Sequence, residues 1–468
     1  MWLPPMSGKI CDPPRHKFLL MLYSVFLCTS LFAPSICSAE KIVLTEPATD
    51  TRVFSVKAKL FLKGHLKTPQ GDNKFHELPL DVAAQLNYLE KRLTGTGRNA
   101  KALRSVRSYE HADVTITVQK QITASRLSDQ HRLIVAQGEQ DGILFYHLKS
   151  LLTYNELELL NIPGDSLALL SLLPPAAVEI GETWKPALWA VQMLTSTEAV
   201  EKSALTCKLE SVSAETAHVS FQGTLEGASL GSRTNIGLTG SYGYDLKLRC
   251  IKNLELTQTE KRPTKGAITP GMDITATTTW ERTPAPNPAP LTTQLAADIP
   301  LDPPKKLLRL SLQTLWSVRF DYDRNWHIFH QTDKAAVLRL LDNGSLIAQC
   351  NLTPFAPAAP GKHLSEERFQ KYIQDSLGSR LKSIESAQPL KIDREQKHFI
   401  YRVVAAGKSE GQPMHWIYYL CADTTGRQTV FVFSVESSLI KQLNNRDSQI
   451  VRTLKFDSSN VKPISTSR

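Results

Sequence analysis

Hydrophobic and polar residues alternate along much of the first part of the chain. Residues 54–60 give the clearest example, with apolar Phe54, Val56, Ala58 and Leu60 separated by Ser and Lys. A period of two predicts a strand that buries one face and exposes the other. The same alternation recurs in five further segments: VTITVQKQI, RLIVAQG, ALTCKLESVS, HVSFQGTLEG and YDLKLRCIKNLELTQTE.

Glycine residues punctuate the later strands, at positions 223, 227, 231, 237, 240 and 243. Glycine within strands is typical of bulges and close backbone approaches in antiparallel sheets. The segment 153–175 is the best helical material and lies between the two sets of strands. We therefore predict a strand-rich antiparallel N-terminal domain over residues 40–282.

A proline-rich segment follows at residues 283–306, TPAPNPAPLTTQLAADIPLDPPKK, which holds seven prolines. Proline lacks an amide donor and restricts the residue before it, so this segment suits neither a central strand nor a regular helix. It predicts an extended linker that leads into a C-terminal domain over residues 307–468.

The pattern of apolar and polar positions is different in the C-terminal domain. Residues 335–352 predict a hairpin that turns at Asp342-Asn343-Gly344. Residues 364–378 predict a helix capped by Ser365 and ended by Gly378. Its apolar stripe comprises Phe369, Tyr372, Ile373 and Leu377. Strands follow in HFIYRVVAAG and MHWIYYLCADTTGRQTVFVFSVE, and SSLIKQLNNRDSQIVRTLKF predicts a terminal helix.

The order of these elements resembles the PsbP-like family. The resemblance depends on Trp326, on the hairpin at 335–352 and on the segments EERFQKYIQ, TGRQTVFVFSV and QIVRTLKF. It implies an α/β/α sandwich around an antiparallel sheet for the C-terminal domain, and a non-catalytic binding or assembly role. The predicted fold class of the whole chain is therefore α+β.

The N-terminal domain has a looser resemblance of its own. The segment SLLPPAAVEIGETW (171–184) and the glycine-punctuated strands after it resemble envelope proteins of planctomycete-type bacteria. That resemblance implies an envelope location without a particular activity. A strand-rich layout around one helix-rich segment is also compatible with a carrier of lipids or other apolar ligands.

The N-terminus predicts export from the cytoplasm. Three basic residues precede an apolar run of 16 residues at 18–33, and the small residues Ser38 and Ala39 follow it. This layout is typical of a secretory signal peptide over residues 1–39, with cleavage after Ala39. An uncleaved N-terminal anchor is the alternative. No later segment approaches the length of a transmembrane helix, so we expect a secreted or periplasmic protein without a transmembrane segment in its mature form.

Charge and compartment restrict the possible partners. The chain has a formal net charge of +10, but its Lys and Arg residues are scattered, which argues against nucleic-acid binding. The segment GTGRNA (95–100) loosely imitates a dinucleotide-binding loop. It follows the charged segment NYLEKRL rather than an apolar strand, so we expect a turn and no cofactor. The expected partner is an unidentified envelope component or an apolar ligand.

Ser166 lies in the sequence Gly164-Asp165-Ser166-Leu167, which resembles the signature of SGNH-type hydrolases. In that family the serine follows an apolar strand and is activated by an Asp-x-x-His pair near the end of the domain. Here the signature follows the acidic, helix-like NELELLNIP, and no Asp-x-x-His occurs in the chain. We therefore expect Asp165 or Ser166 to cap the helix LALLSLL instead.

Other candidate chemistry is weaker. His327, His330 and Asp333 follow one another at intervals of three, but the segment is strand-like, which places the two histidines on opposite faces. Zinc-type spacings of Cys and His are absent from the sequence. The acidic pairs Glu156/Glu158 and Glu366/Glu367 suit exposed helix faces. We therefore predict no catalytic, metal-binding or cofactor-binding residues.

Four cysteines remain after residue 39: Cys207, Cys250, Cys350 and Cys421. All four fall in predicted strands, two in each predicted domain. Because an oxidising compartment favours disulfides, we hypothesise the pairs Cys207–Cys250 and Cys350–Cys421. Buried free thiols are the alternative.

The sequence therefore predicts an extracytoplasmic binding or assembly protein that is not an enzyme. A carrier of lipid or another apolar ligand is the first alternative. A secreted SGNH-type hydrolase that uses Ser166 is the disfavoured one.

Overall fold

The protein is described by a computed structural model. The model describes residues 41–47, 50, 52–69, 75–94, 99–229, 232–264, 271–285, 289–342, 345–390 and 398–457. The predicted signal peptide, its cleavage site after Ala39 and the turn residues Asn343 and Gly344 lie outside the described residues. Within the described part, strands make up 57% of the residues and helices 17%.

Fourteen strands precede residue 285 in the described chain. They are β1 (Val53–Pro69), β2 (Phe75–Thr94), β3 (Arg104–Val118), β4 (Gln121–Arg126), β5 (Leu133–Glu139), β6 (Gly142–His147), β7 (Leu152–Thr153), β8 (Thr183–Trp184), β9 (Ala199–Ser203), β10 (Thr206–Val212), β11 (Thr216–Ser229), β12 (Ser232–Asp245), β13 (Cys250–Arg262) and β14 (Gly271–Pro284).

All of these strands except β7 form one antiparallel sheet. In the described residues its order is β6-β5-β3-β2-β1-β14-β13-β12-β11-β10-β8, with β4 attached to β3 and β9 attached to β11. The alternation predicted for β1 is confirmed, since Phe54, Val56, Ala58 and Leu60 are all at most 8% exposed. We call the side on which these four residues lie the inner face of the sheet.

The inner face packs against the segment 154–195, which we call the plug. It contains α1 (Tyr154–Leu160), a short 3₁₀-helix (Ala168–Leu172) and α2 (Leu188–Thr195). Its buried leucines join one hydrophobic core with the inner-face residues of the sheet. The thirteen-stranded sheet therefore folds around its own helical segment.

Gln192 of α2 connects the two ends of the sheet. Its side-chain amide donates to the carbonyl of Asp141, in the β5–β6 turn (3.1 Å), and to that of Glu198, just before β9 (2.8 Å). Its oxygen accepts from the amide of Val200 in β9 (3.3 Å). Because β6 and β9 lie at opposite ends of the strand order, these bonds show that the sheet curls around α2.

We expect Gln192→Leu to lower the free energy of unfolding by about 2–3 kcal/mol, because one buried and two partly buried hydrogen bonds are lost at about 1 kcal/mol each. Urea unfolding followed by circular dichroism measures the change. Gln222→Leu is the control, since Gln222 is an exposed residue of β11 and we expect a change within about 0.5 kcal/mol. Equal effects of the two substitutions would contradict the connecting role of Gln192.

The proline-rich segment packs on the outer face of the same sheet. It contains α3 (Thr293–Asp298) and a 3₁₀-helix (Lys305–Leu308). Leu291 and Ile299 are 1% and 6% exposed and form a second hydrophobic core with outer-face residues such as Val53 and Val106. The linker and the domain boundaries that we predicted at 282 and 307 remain predictions.

Ten strands follow the proline-rich segment in the described chain. They are β15 (Leu310–Gln313), β16 (Val318–Tyr322), β17 (Trp326–Gln331), β18 (Ala336–Asp342), β19 (Ser345–Phe355), β20 (Leu381–Pro389), β21 (Phe399–Ser409), β22 (Gln412–Ala422), β23 (Gln428–Glu436) and β24 (Lys455–Phe456). The helices of this part are α4 (Glu366–Leu377), α5 (Ile440–Leu443) and α6 (Arg446–Val451).

These strands form two sheets within the described residues. Seven of them make an antiparallel sheet of order β17-β18-β19-β23-β22-β21-β20. The other three join β7 in a small sheet of order β24-β16-β15-β7, where β15 runs parallel to β7. The predicted hairpin at 335–352 is confirmed as β18 and β19.

The predicted C-terminal α/β/α sandwich is wrong, because large antiparallel sheets dominate the described chain and helices contribute only 17% of its residues. One face of the seven-stranded sheet packs on α4, through Phe369, Ile373 and Leu377. The other face contacts β16, through Phe431 and Phe320 (ring centroids 5.5 Å apart), and the short helix α6, whose Asp447 accepts from the Tyr419 hydroxyl (2.7 Å).

The predicted long terminal helix is also wrong. Asn444 and Asn445 both adopt left-handed backbone conformations, with φ of 46° and 58°. Two consecutive residues of this kind interrupt a right-handed helix, so the segment forms the short helices α5 and α6. Residues 455–456 then pair with β16 as β24.

Candidate functional site

Ser166 is buried in the plug and 3% exposed. Its hydroxyl donates to Glu90 Oε1 (2.9 Å) and shares a second hydrogen bond with the Tyr88 hydroxyl (3.0 Å). Arg107 Nη2 lies 3.3 Å from the same oxygen. No histidine is among the described hydrogen-bond partners of this hydroxyl, so the Ser-His arrangement of a hydrolase is not assembled at Ser166.

Asp165 forms a bidentate salt bridge with Arg107 of β3. The two guanidinium nitrogens Nη1 and Nη2 each lie 2.7 Å from one oxygen of the Asp165 carboxylate. Arg107 Nε also donates to Glu90 Oε1 of β2 (3.0 Å). Arg107, Glu90 and Asp165 are each at most 4% exposed, so we call these three residues with Arg92 and Ser166 the buried ion cluster.

Electrostatics keep Glu90 and Arg107 of the cluster ionised. Burial opposes the charged form of Glu90, but the nearby guanidinium groups of Arg92 and Arg107 outweigh it and lower the pKa of Glu90 to about 2. Burial likewise opposes the charge on Arg107, and its carboxylate neighbours, Asp165 foremost, raise its pKa overall. A carboxylate held in this state is neither a general acid nor a free base at neutral pH.

The cluster fixes residues 164–167 of the plug to the sheet. Arg92 donates to the Ser166 carbonyl (2.9 Å), and the indole of Trp280 donates to the Gly164 carbonyl (2.9 Å). Gly164 has φ of +78°, and an added Cβ would lie 2.7 Å from a Leu254 methyl group, so only glycine suits this position. The GDSL segment is therefore an attachment point of the plug.

The expected helix cap is only partly present. Asp165 accepts from the Leu167 amide (2.8 Å), whereas the Ser166 hydroxyl bonds to the sheet. The segment LALLSLL forms a 3₁₀-helix at Ala168–Leu172 without a side-chain cap.

Sequence reasoning missed Glu90, Arg92 and Arg107. We interpreted NYLEKRL as exposed, yet Glu90 and Arg92 are 1% and 8% exposed on the inner face of β2. Glu90 and Arg92 are two positions apart in the sequence, and side chains at alternate positions of a strand lie on one face. This spacing was the sequence feature that could have indicated an ion pair. Nothing in the sequence indicated that Arg107 and Asp165 would meet them there.

The inner face continues beyond the plug as an apolar surface. Leu62 pairs with Val82 and Val82 with Ile116, while Leu66 pairs with both Leu78 and Met272. Directly paired residues project to the same face, and alternation from Leu60 makes it the inner one. We call this surface the open apolar face; its half-buried members are Leu62, Leu66, Leu78, Val82, Ile116, Val118 and Met272.

A buried guanidinium group borders this surface. Arg262 of β13 pairs with Met272 in the sheet and is 8% exposed. Its Nη2 donates to Glu260 Oε1 (2.6 Å), an oxygen that also accepts from the Thr234 hydroxyl (2.8 Å). Among the described residues, Arg262 Nε has no hydrogen-bond partner. A guanidinium group with an unused donor, ion-paired with Glu260, therefore lies at the end of an apolar surface.

Both predicted disulfides are wrong, because strand order keeps the sulfur atoms apart. Cys207 in β10 and Cys250 in β13 are separated by two strands, and Cys350 in β19 and Cys421 in β22 by one. At about 4.8 Å between neighbouring strands, the gaps are about 14 and 10 Å. A disulfide needs Cα atoms within about 7 Å. All four thiols are free and buried, and burial raises the pKa of Cys207 to about 12.

The histidine prediction also needs a correction. A bulge between Ile328 and His330 places His327 opposite Arg339 and His330 opposite Val337. Since Val337 and Arg339 share a face, the two histidines do so as well. Even so, the described residues contain no group of three metal-ligating side chains.

The comparisons with known proteins identify no family. No family model matches the chain, and no curated protein matches it. No helix in the described chain has the length and apolar character needed to span a membrane.

Three solved structures give weak likenesses. A structure of lipid–protein interactions in lipovitellin is 8% identical, with a TM-score of 0.27, and the match covers 52% of this chain but only 26% of lipovitellin. The translocator domain of the autotransporter NalP from Neisseria meningitidis is 8% identical, with a TM-score of 0.12 and coverages of 83% and 89%. A BenF-like porin from Pseudomonas fluorescens is 6% identical, with a TM-score of 0.12 and coverages of 82% and 98%. TM-scores this low carry no argument about this chain.

Proposed function

We propose that the protein is an extracytoplasmic binding protein for an amphipathic ligand with an acyl chain and an anionic head group. The acyl chain lies on the open apolar face, and the head group meets Arg262. The observation that carries the proposal is the position of a buried, incompletely bonded guanidinium group at the border of half-buried apolar side chains.

The dimensions and chemistry support this class of ligand. From Leu62 to Leu66 the open apolar face extends along β1 for about 13 Å, at about 3.3 Å per residue. That length suits an extended hydrocarbon chain, and burying apolar surface is worth about 25 cal/mol per Å². A guanidinium group favours carboxylate and phosphate partners. The signal-like N-terminus supports a location where envelope lipids are available.

The plug determines how much of the inner face is available. Its leucines already cover the rows of the sheet that contain Ala58 and Leu86. The ligand therefore binds beyond the plug, and the buried ion cluster keeps the plug in place.

The experiment compares a pyrene-labelled fatty acid with the matching fatty alcohol in fluorescence titrations. We expect Leu66→Asp to weaken binding of both probes at least tenfold, because a carboxylate would lie against the acyl chain. We expect Arg262→Gln to weaken binding of the acid by about tenfold or more and to leave the alcohol unchanged.

Phe61→Asp is the matched control. Phe61 precedes Leu62 on β1, projects to the opposite face and is 54% exposed. We expect its substitution to leave both affinities unchanged. Failure of the wild-type protein to bind either probe would refute the proposal, as would equal effects of the Leu66 and Phe61 substitutions in folded proteins.

A further inference from the structure

A second serine forms the relay that Ser166 lacks. Ser150 lies in the turn between β6 and β7, and its Oγ is 3.0 Å from Nε2 of His131. The other ring nitrogen of His131, Nδ1, donates to Glu156 Oε1 (2.7 Å). The three residues are therefore linked in the order serine, histidine, carboxylate, which is the order of a nucleophile, its base and the group that orients the base.

Glu156 is held rigidly for this task. Its Oε2 accepts from the amide and the hydroxyl of Thr153, each at 2.9 Å, and its Oε1 accepts from the amide of Ser128 (3.1 Å). Burial opposes ionisation of Glu156, but the hydrogen bonds from Thr153, His131 and Ser128 outweigh it and lower its pKa. An ionised carboxylate on Nδ1 fixes the tautomer in which Nε2 of His131 accepts a proton.

The exposed fractions of the three side chains differ, with the histidine and the carboxylate more buried than the serine. Glu156 and His131 are 5% and 9% exposed, whereas Ser150 is half-buried at the surface of its turn. A neighbouring histidine also holds the serine. The Ser150 amide donates to Nδ1 of His147 (3.2 Å), and the Ser150 hydroxyl lies 2.7 Å from the same atom, so its one proton is donated either to this nitrogen or to Nε2 of His131. Burial lowers the pKa of His147 and keeps its ring neutral. The nucleophile is thus oriented and reachable from solvent.

We infer that Ser150, His131 and Glu156 form a serine-hydrolase site that cleaves carboxylic esters. This activity goes beyond the proposed binding function and differs from the non-catalytic role expected from the sequence. Ser150 Oγ attacks the ester carbonyl carbon while its proton passes to Nε2 of His131. The C–O bond to the alcohol then breaks, and the alcohol leaves with that proton. Water attacks the acyl-serine carbonyl carbon while His131 takes a proton from it. The bond between that carbon and Ser150 Oγ then breaks, His131 returns the proton to Oγ, and the carboxylic acid leaves.

The roles of the three residues differ. Ser150 and His131 contact the reacting atoms and are catalytic residues, whereas Glu156 acts through His131 and is a positioning residue. Sequence reasoning treated Glu156 as surface charge and did not weigh Ser150 or His131. Their separation in the chain, at 131, 150 and 156, matches no motif of fixed spacing, because three different elements bring them together.

The chain offers a matched control with similar but looser geometry. Ser437 Oγ is 2.9 Å from Nδ1 of His415, and the other nitrogen of His415 is 3.4 Å from Glu385 Oε2. The Glu385 side chain is 48% exposed. This second group has the same residue types without the buried, hydrogen-bonded carboxylate.

The experiment treats the full chain with a fluorophosphonate probe and measures hydrolysis of p-nitrophenyl butyrate. We expect mass spectrometry to place the covalent adduct on Ser150 in the wild-type protein. Ser150→Ala should abolish labelling, and His131→Gln should lower the hydrolysis rate by about 100-fold or more.

Ser437→Ala and Ser166→Ala should leave labelling and hydrolysis unchanged. The absence of any adduct on wild-type Ser150, or hydrolysis that survives Ser150→Ala, would overturn the inference. Because the adduct is mapped on the unmodified sequence, the result does not depend on whether a variant folds.

Discussion

Replacing Arg107 by Met is expected to lower the free energy of unfolding by about 3–5 kcal/mol, the usual cost of removing one partner of a buried ion pair. The side chain is 1% exposed and neutralises two carboxylates, those of Glu90 and Asp165. Without Arg107, both carboxylates remain buried. Arg92, which lies 3.4 Å from Glu90, is then the remaining cation of the cluster. Urea unfolding measured at neutral pH gives the change.

The control for this substitution is Lys202→Met. Lys202 Nζ lies 2.9 Å from Glu226 Oε2, but the two side chains are 73% and 57% exposed. An exposed pair of this kind contributes at most about 1 kcal/mol. If the two substitutions cost the same, the cluster does not secure the plug as we describe. A variant that combines Arg107→Met with Asp165→Asn should recover part of the loss, because one uncompensated charge is removed.

Acidification is expected to remove about 3 kcal/mol of stability through Glu90 alone. The folded protein lowers the pKa of Glu90 from its usual 4.5 to about 2. A group whose pKa is lowered by folding stabilises the protein above its unfolded pKa, and this contribution is lost as the pH falls towards the folded value. The loss therefore occurs between about pH 4.5 and pH 2, at 1.36 kcal/mol per pKa unit.

The contribution of Glu90 is measured as the difference in unfolding free energy between the wild-type protein and Glu90→Gln. We expect this difference to be largest above about pH 5 and to shrink steadily below about pH 4.5. Carboxylates outside the buried ion cluster have the same surroundings in both proteins, so their contributions cancel. A difference that stays constant on acidification would show that Glu90 is not ionised in the folded protein.

The sequence was a good guide to strands with one buried face. The alternation in β1 correctly identified Phe54, Val56, Ala58 and Leu60 as inner residues, because burial on one side of a strand imposes a period of two. The amphipathic stripe of α4 was also confirmed for Phe369, Ile373 and Leu377, although Tyr372 is 41% exposed. These features depend on residues a few positions apart, which a sequence displays directly.

Features that depend on the pairing of distant segments were missed. The disulfide hypothesis failed because alternation shows which face a cysteine occupies but not which strands separate it from another. The buried ion cluster joins Glu90, Arg107 and Asp165. The relay at Ser150 joins a turn, the 3₁₀-helix Asp129–His131 and α1. Predicting either group of residues requires the order of the strands in the sheet, which no local sequence pattern specifies.

The parallel pairing of β15 with β7 has a consequence for shortened versions of the protein. Leu310 and Ser311 lie opposite Leu152 and Thr153, immediately before the helix that contains Glu156. Arg324 strengthens the connection by donating to the Phe145 carbonyl of β6 (2.6 Å). A fragment that stops at residue 306 would lack both attachments and leave a strand edge uncovered next to the Ser150 turn. The part of the chain after residue 306 therefore completes the surroundings of the Ser150 turn. The two parts are best produced as one polypeptide.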